Sequence, residues 1–399
     1  MSLLMKATLF LLSFCMFIEV FHYYSLLVPA MAFIVIGGKL RFHSYGWPVW
    51  IALSLYAIAS LVSIVNALDV DSALLYFRFS VYLYIFTFLI SAIVGTYGYE
   101  PIEVLFDGAA TLTIIAAIAS FAGFFGFLPI ADMVIYNGER MAGFSVNPNY
   151  FGTSLDMIIM YLYYKIGVAN KMQKIRCMIG ITILMPAILL AYSRAAWVAL
   201  IISVVSYSLL IAIQTRSKTA MLKFGTSLAG FIIFAGIAWV AAYSLGYTES
   251  IENRFKLEDY DTDRFLVHDL LREKVSEHPL GLGPGQSGVY LSSFYNNIEG
   301  SQASESSYIT ALFESGYMGL ALYLLFLACL FFLSLRISLN SWQYSKVSAL
   351  ITSIYYGMLL WSTVASALQL KSFWLICGII CGLNILYSRR NLCAEKPLP

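Results

Sequence analysis

The chain has 399 residues, 60% of them hydrophobic and only 12% charged, with a mean hydropathy of +0.79. Soluble domains run at about 45–50% apolar and about 25% charged. The composition therefore excludes a soluble enzyme, a disordered chain and a collagen-like chain, and apolar runs of about 20 residues assign the protein to a membrane. Lys+Arg 24 nearly balance Asp+Glu 22, which argues against nucleic-acid binding.

Twelve spans are predicted in chain order, at about 5–20, 24–38, 47–67, 74–97, 104–128, 149–167, 176–192, 194–213, 223–246, 308–335, 346–368 and 371–388. The first reads as a span rather than a signal peptide, because no small-residue cleavage site follows it and further apolar runs begin at once. The expected fold is an all-α polytopic membrane protein of about twelve transmembrane helices, with one long extracytoplasmic loop containing short helices. Three regions are expected: transmembrane helices over 1–139, a catalytic region over 140–335, and transmembrane helices with a cytoplasmic tail over 336–399. The basic loops KMQKIR and TRSKTAMLK belong inside and LDVDS outside, which puts both termini in the cytoplasm. Five of the six cysteines lie in apolar runs and Cys393 in the tail, so no disulfide framework and no zinc spacing is expected.

The long outer loop, about 247–306, carries half of the 22 acidic residues. Asp261 or Thr262 is placed to cap a helix from Asp263 to about Glu277, with Phe265, Leu266, Leu270, Leu271 and Val275 as its apolar stripe. Pro279 ends that helix. GLGPGQSG follows; it reads first as a turn, since it lacks the GK[ST] ending of a phosphate loop. Ser304 or Ser306 is placed to cap the next helix.

With charge so scarce, each outer charge can be questioned singly. Arg140 lies in GERMAGFSVNPN before the sixth span, and Arg194 lies in AYSRAAW at an outer junction. Arg264, His268 and Arg272 follow at i, i+4 and i+8 on one helix face. Glu305 stands where the loop re-enters the membrane. Arginine suits phosphate, being permanently charged, planar and bidentate, and it would stabilise charge growing on a pyrophosphate leaving group. A carboxylate nearby could take a proton from an attacking hydroxyl. These parts describe glycosyl transfer from a polyprenyl pyrophosphate, with no metal required. Each arginine alone also reads as a snorkelling or ion-pairing residue, His268 as a helix surface residue and Glu305 as a helix N-terminal charge. Tyr290, Tyr295 and Tyr308 could stack on sugars.

Four elements in order, RMAGFSVNPNYFG (140–152), YSRAAWVAL (192–200), DRFLVHDLLREKVSEHPLGLGPGQ (263–286) and SESSYITALFESGYMGLALY (304–323), resemble the O-antigen ligase / O-antigen polymerase family. The resemblance implies a glycosyltransferase of the bacterial plasma (inner) membrane, its active site facing the periplasm, that passes a glycan from undecaprenyl pyrophosphate to a sugar hydroxyl without a metal or other cofactor. It implies pyrophosphate binding by Arg194 and Arg264 with help from Arg140, the arginine of the motif that contains Asn149. Ligases carry a histidine in the fourth element, where this chain reads Ser-Glu-Ser-Ser; Glu305 there looks more like the polymerase branch, whose acceptor is another lipid-linked repeat unit. Transfer to lipid A core, the ligase reaction, stays open. The candidate set is then Glu305, Arg194 and Arg264 as catalytic, with Arg140, Arg272, His268, Asn149 and Tyr308 as further pyrophosphate or sugar contacts and no metal ligand. The partners implied are the undecaprenyl-pyrophosphate-linked oligosaccharide, membrane lipid and a separate chain-length regulator, with no nucleic acid. A transporter is the rival class, but it leaves the 60-residue outer loop unexplained and predicts repeats that are not evident.

Overall fold

The computed structural model describes residues 1–17, 46–137, 140–145, 147–216, 259–294 and 305–394, and side chains within these except 15–17, 259–265, 294 and 391–394. The expected spans at 24–38 and 223–246 lie outside the described residues. The other ten fall on helices: α1 (Leu3–Phe17), α2 (Trp47–Ser63), α3 (Val70–Tyr97), α4 (Glu100–Phe124), α5 (Pro148–Val168), α6 (Lys171–Leu190), α7 (Arg194–Thr215), α10 (Ser307–Leu339), α11 (Ser345–Trp361) and α12 (Lys371–Ala394). Between them, α8 (Asp259–Glu277) and α9 (Gln286–Phe294) belong to the long loop. Seven of the described helical segments are long and apolar enough to cross a membrane. The expected all-α class needs one small amendment: β1 (Ile135–Tyr136) pairs antiparallel with β2 (Arg140–Met141).

Helix ends follow local chemistry. Asp69 caps α3 by accepting from Ser72 N, Asn147 caps α5 with Pro148 at the first helical position, and Asn170 and Gln173 form a capping box on α6. Ser193 caps α7 after a tight corner in which Tyr192 takes φ 48°. The helices pack chiefly as α7 on α11, α3 on α12, α2 on α10, α5 on α6 and α1 on α4. One large core joins them and includes Trp361, Trp374, Tyr323 and Phe326. Outward faces stay apolar: Ile51, Leu55 and Ile58 on α2, Met178 and Ile179 on α6, and Leu325 and Phe332 on α10 are exposed. Apolar surface on so many helices at once suits lipid, not water. This is a multi-pass membrane protein.

The loop helix α8 begins at Asp259, so Asp261 and Thr262 lie within its first turn and not at its cap. It ends at Glu277, two residues before Pro279, as expected. Its buried stripe is Val267, Leu271 and Val275, whereas Leu266 is 48% exposed. The true stripe is spaced i, i+4, i+8 and packs with Leu282, Tyr290, Leu291, Ile309 and Phe313 in a second core that seats α8 and α9 on the start of α10. In its last turn Lys274 is hydrogen-bonded to Glu277 and holds that carboxyl below its usual range.

Helix α10 is broken once. Gly316 takes φ 69°, ψ −171°, a conformation open essentially to glycine alone. The glycine-rich segment lies against this break: Leu282 N donates to Phe313 O (3.1 Å), Gly283 N to Glu314 O (2.9 Å) and Tyr317 N to Pro279 O (3.1 Å). Backbone groups freed by the break are thus satisfied by another loop, which a chain at membrane depth requires. On its other side the segment meets the α2–α3 connection. Asn66 Nδ2 donates to Gly281 O (3.1 Å), while the Gln286 amide accepts from Asp69 N (2.9 Å) and donates to Asp69 O (3.1 Å). Ser306 occupies the N-cap position of α10 without a side-chain cap bond. Its neighbour Ser307 ties the helix start to the α11–α12 connection, accepting from Ala367 N (2.7 Å) and donating to Ala365 O (3.2 Å).

Candidate functional site

A cavity of about 240 Å³ opens at the end of the bundle where these connections meet. Tyr76 of α3 lines it, with Asn147, Asn149 and Tyr150 from the start of α5 and Gly285, Ser287 and Gly288 from the glycine-rich segment and α9. Glu305, Thr310 and Glu314 come from the start of α10, and Ala365, Ser366 and Gln369 from the α11–α12 connection. The described lining is thus two carboxyls, three carboxamides, three aliphatic hydroxyls and two phenol rings. Polar groups of this kind, converging in a concave site, are what a hydroxyl-rich ligand needs.

The arginines stand beside the cavity. The β1–β2 hairpin presents Arg140, whose Nε donates to Ala191 O (3.1 Å) and whose Nη2 lies 3.3 Å from Tyr192 O and 3.2 Å from Asn149 Oδ1. One guanidinium therefore joins the α6–α7 corner to a cavity-lining amide. Asn149 is itself oriented by the cap, since its N–H donates to Asn147 Oδ1 (2.8 Å). Arg194 is the first helical residue of α7, two residues beyond Tyr192, and is half-buried. Trp197 Nε1 closes the same corner on Ile188 O (2.8 Å).

Of the candidate residues read from the sequence, Glu305 and Asn149 line the cavity, and Arg140 reaches it through Asn149. Arg194 shares the corner that Arg140 holds. Arg264 lies on α8, with its side chain outside the described residues. Arg272 is 60% exposed, 3.7 Å from Asp269, and is not among the cavity-lining residues. His268 is half-buried on α8. Tyr308 packs its ring on Tyr323 and donates its hydroxyl to Leu359 O (3.0 Å), joining α10 to α11.

Glu314 is the functional candidate that the sequence reading missed. It is 9% exposed, yet lines the cavity. Ser287 Oγ donates to its Oε1 (3.0 Å), and the backbone N–H groups of Gly285 and Ser287 donate to the same carboxyl. The signal was present: an acid in the apolar run ITALFESGYMGLAL is costly without partners and marks a site by default. Lys371, only 4% exposed at the first position of α12, two residues after Gln369, was passed over in the same way.

The bundle and its long loop form a mostly helical, multi-pass membrane protein with a polar site at one end. Residues 179–324 match the model of a family described as O-Antigen ligase. The match covers residues 179–324 of the 399 and supports the resemblance that the four motifs carry to the O-antigen ligase / polymerase family, whose members are glycosyltransferase-like enzymes. The matched stretch contains Arg194, Arg264, Glu305 and Glu314 and begins after Arg140 and Asn149. No curated protein matches the chain significantly.

Proposed function

We propose that the protein is a polysaccharide polymerase that transfers a glycan from undecaprenyl pyrophosphate to a sugar hydroxyl of another lipid-linked repeat unit, on the outer face of the bacterial plasma membrane. The observation that carries this reading is the join made by Arg140: a cavity with two carboxyls and several amides adjoins, through Asn149, the corner at Ala191 and Tyr192 that leads into Arg194. An acceptor sugar occupies the cavity. Arg194 and Arg264 hold the donor pyrophosphate, and Arg140, by fixing the corner, sets the distance between the two substrates. The acceptor O–H attacks the anomeric carbon, its proton passes to the Glu305 carboxylate, and the bond from that carbon to the pyrophosphate oxygen breaks. Undecaprenyl pyrophosphate leaves with the bonding pair. The arginines are placed to stabilise the charge it acquires. The step as written takes no metal or organic cofactor.

The ligase reaction, transfer to lipid A core, uses the same donor chemistry. Glu305 in place of a ligase histidine favours the polymerase. Polysaccharide gels from a deletion strain separate the two. Loss of a polymerase leaves single-repeat products, and loss of a ligase leaves long lipid-linked chains beside bare core. In the complemented strain, Arg194→Ala and Arg264→Ala abolish polymer at normal protein abundance, and Glu305→Gln lowers it about 100-fold or more, the scale of a lost general base. Normal chain length in either arginine variant would sink the proposal, and full activity of Glu305→Gln would reduce Glu305 to a helix-terminal charge.

A further inference from the structure

We infer that Ser287 Oγ is the hydrogen-bond acceptor for one hydroxyl of the acceptor sugar, and that Glu314 is the positioning residue that holds it in that role. The inference rests on reading the cavity as the acceptor site, and it names a contact that reading does not contain. Both residues line the cavity, and Ser287 is 4% exposed. A serine hydroxyl has one proton and two lone pairs. The Ser287 proton is committed to Glu314 Oε1 at 3.0 Å. Toward the cavity only acceptor capacity remains, which suits a sugar O–H and rejects a position lacking one.

Glu314 enforces the direction. It does so in its ionised form, which accepts and cannot donate. It receives the Gly285 and Ser287 N–H groups as well as the Ser287 hydroxyl, so three donors of one loop hold it in place. It also sits at the N-terminal end of the nine-residue α9, where the helix dipole favours an anion. A glutamine there would offer an NH₂ to Ser287, which could then accept from it and turn its own proton to the cavity. At about 240 Å³ the cavity has room for one sugar ring beside Ser287. Gly285 keeps that space open, because a Cβ there would lie 2.2 Å from the Tyr76 ring.

The plain alternative is that Glu314 merely caps α9. The two readings part in a binding experiment on the purified full-length protein in detergent. The probes are methyl glycosides of glucose, galactose, mannose and N-acetylglucosamine with their monodeoxy derivatives, titrated by saturation-transfer NMR. The expected result is that one monodeoxy derivative binds wild type about tenfold more weakly than its parent, the scale of one hydrogen bond. In Ser287→Ala, parent and derivative bind equally weakly, and Glu314→Gln does the same. The double variant is no worse than Ser287→Ala, because the two residues act as one unit. Persistent discrimination in Ser287→Ala, additive losses in the double variant, or a wild type that binds none of the panel or distinguishes no hydroxyl overturns the inference. Ser287→Ala leaves both backbone N–H bonds to Glu314 in place, so it keeps the test open should Glu314→Gln fail to fold. A wild type that discriminates in binding but makes no polymer would overturn the transferase reading while the hydroxyl contact stands; polymer formation without discrimination would do the reverse.

Discussion

Arg140 and Arg194 share one corner but make different demands on it. The Arg140 guanidinium donates to Ala191 O, Tyr192 O and Asn149 Oδ1, so it builds the corner whether or not it also meets substrate. Tyr192 adopts a left-handed conformation there, one a non-glycine residue holds only when its surroundings insist. Partly buried hydrogen bonds from a charged donor contribute about 1.5–3 kcal/mol. Arg140→Ala should therefore lower the thermal unfolding midpoint in detergent by several degrees and reduce polymer in proportion. Arg140→Lys should recover little, since an ammonium on a flexible stem cannot span three acceptors set for a planar fork. Arg194→Ala leaves those three bonds untouched, so its midpoint should fall less than that of Arg140→Ala while polymer disappears. An Arg140→Ala protein that melts like wild type yet makes no polymer would move Arg140 from the scaffold to the substrate.

At the scale of elements, the decisive join is the one between the glycine-rich segment and the broken α10. Gly281 and Gly316 face each other so closely that a Cβ on Gly316 would lie 2.1 Å from Pro279 O, and one on Gly281 2.5 Å from Glu314 O. The neighbours are backbone, which cannot swing aside, and both residues have positive φ. Gly316→Ala should thus reduce folded, monodisperse protein on detergent gel filtration far more than Gly167→Ala on α5, whose added Cβ meets nothing within 4 Å. Equal yields would show that the break is dispensable. Here the limits of the sequence are plain. Helix α8 and its end before Pro279 were legible because periodicity and proline act locally. The break at Gly316 was not, since FESGYMG continues an apolar helical pattern and a single glycine in such a run is ordinary. Nor was the Ser287–Glu314 pair, whose members are 27 residues apart and meet only because the glycine-rich segment folds back along that break. The arginines looked convergent by spacing alone, yet Arg272 faces outward beside Asp269, because the buried stripe of α8 runs through Val267, Leu271 and Val275.

The whole molecule has two ends of different chemistry. At one, the connections 66–69, 191–193, 281–286 and 362–370 gather around the cavity. At the other, Glu100 meets the Met1 amino group (3.3 Å) and Lys6 (2.6 Å), Lys165 pairs with Glu103, and Arg389 donates to Gly95 O (2.7 Å). Lys171, Lys174 and Arg176 begin α6 and Arg336 ends α10 at this second end. Short loops rich in Lys and Arg stay on the cytoplasmic side, so the cavity should face outward. The same rule was readable in the sequence, because it counts residues and needs no contacts. Under the proposed function the orientation becomes a condition: a donor presented on the outer leaflet would reach only an outward-facing site. In a variant with all six cysteines replaced, Thr363→Cys, exposed at the cavity end, should react with a membrane-impermeant maleimide in intact spheroplasts. Ser341→Cys, exposed at the opposite end, should react only after permeabilisation. The inverse pattern would turn the protein over and exclude a donor in the outer leaflet. Labelling of both positions before permeabilisation, with a cytoplasmic control protein unlabelled, would mean that positions 341 and 363 lie on the same side, and with them the two-ended arrangement of the bundle would fall.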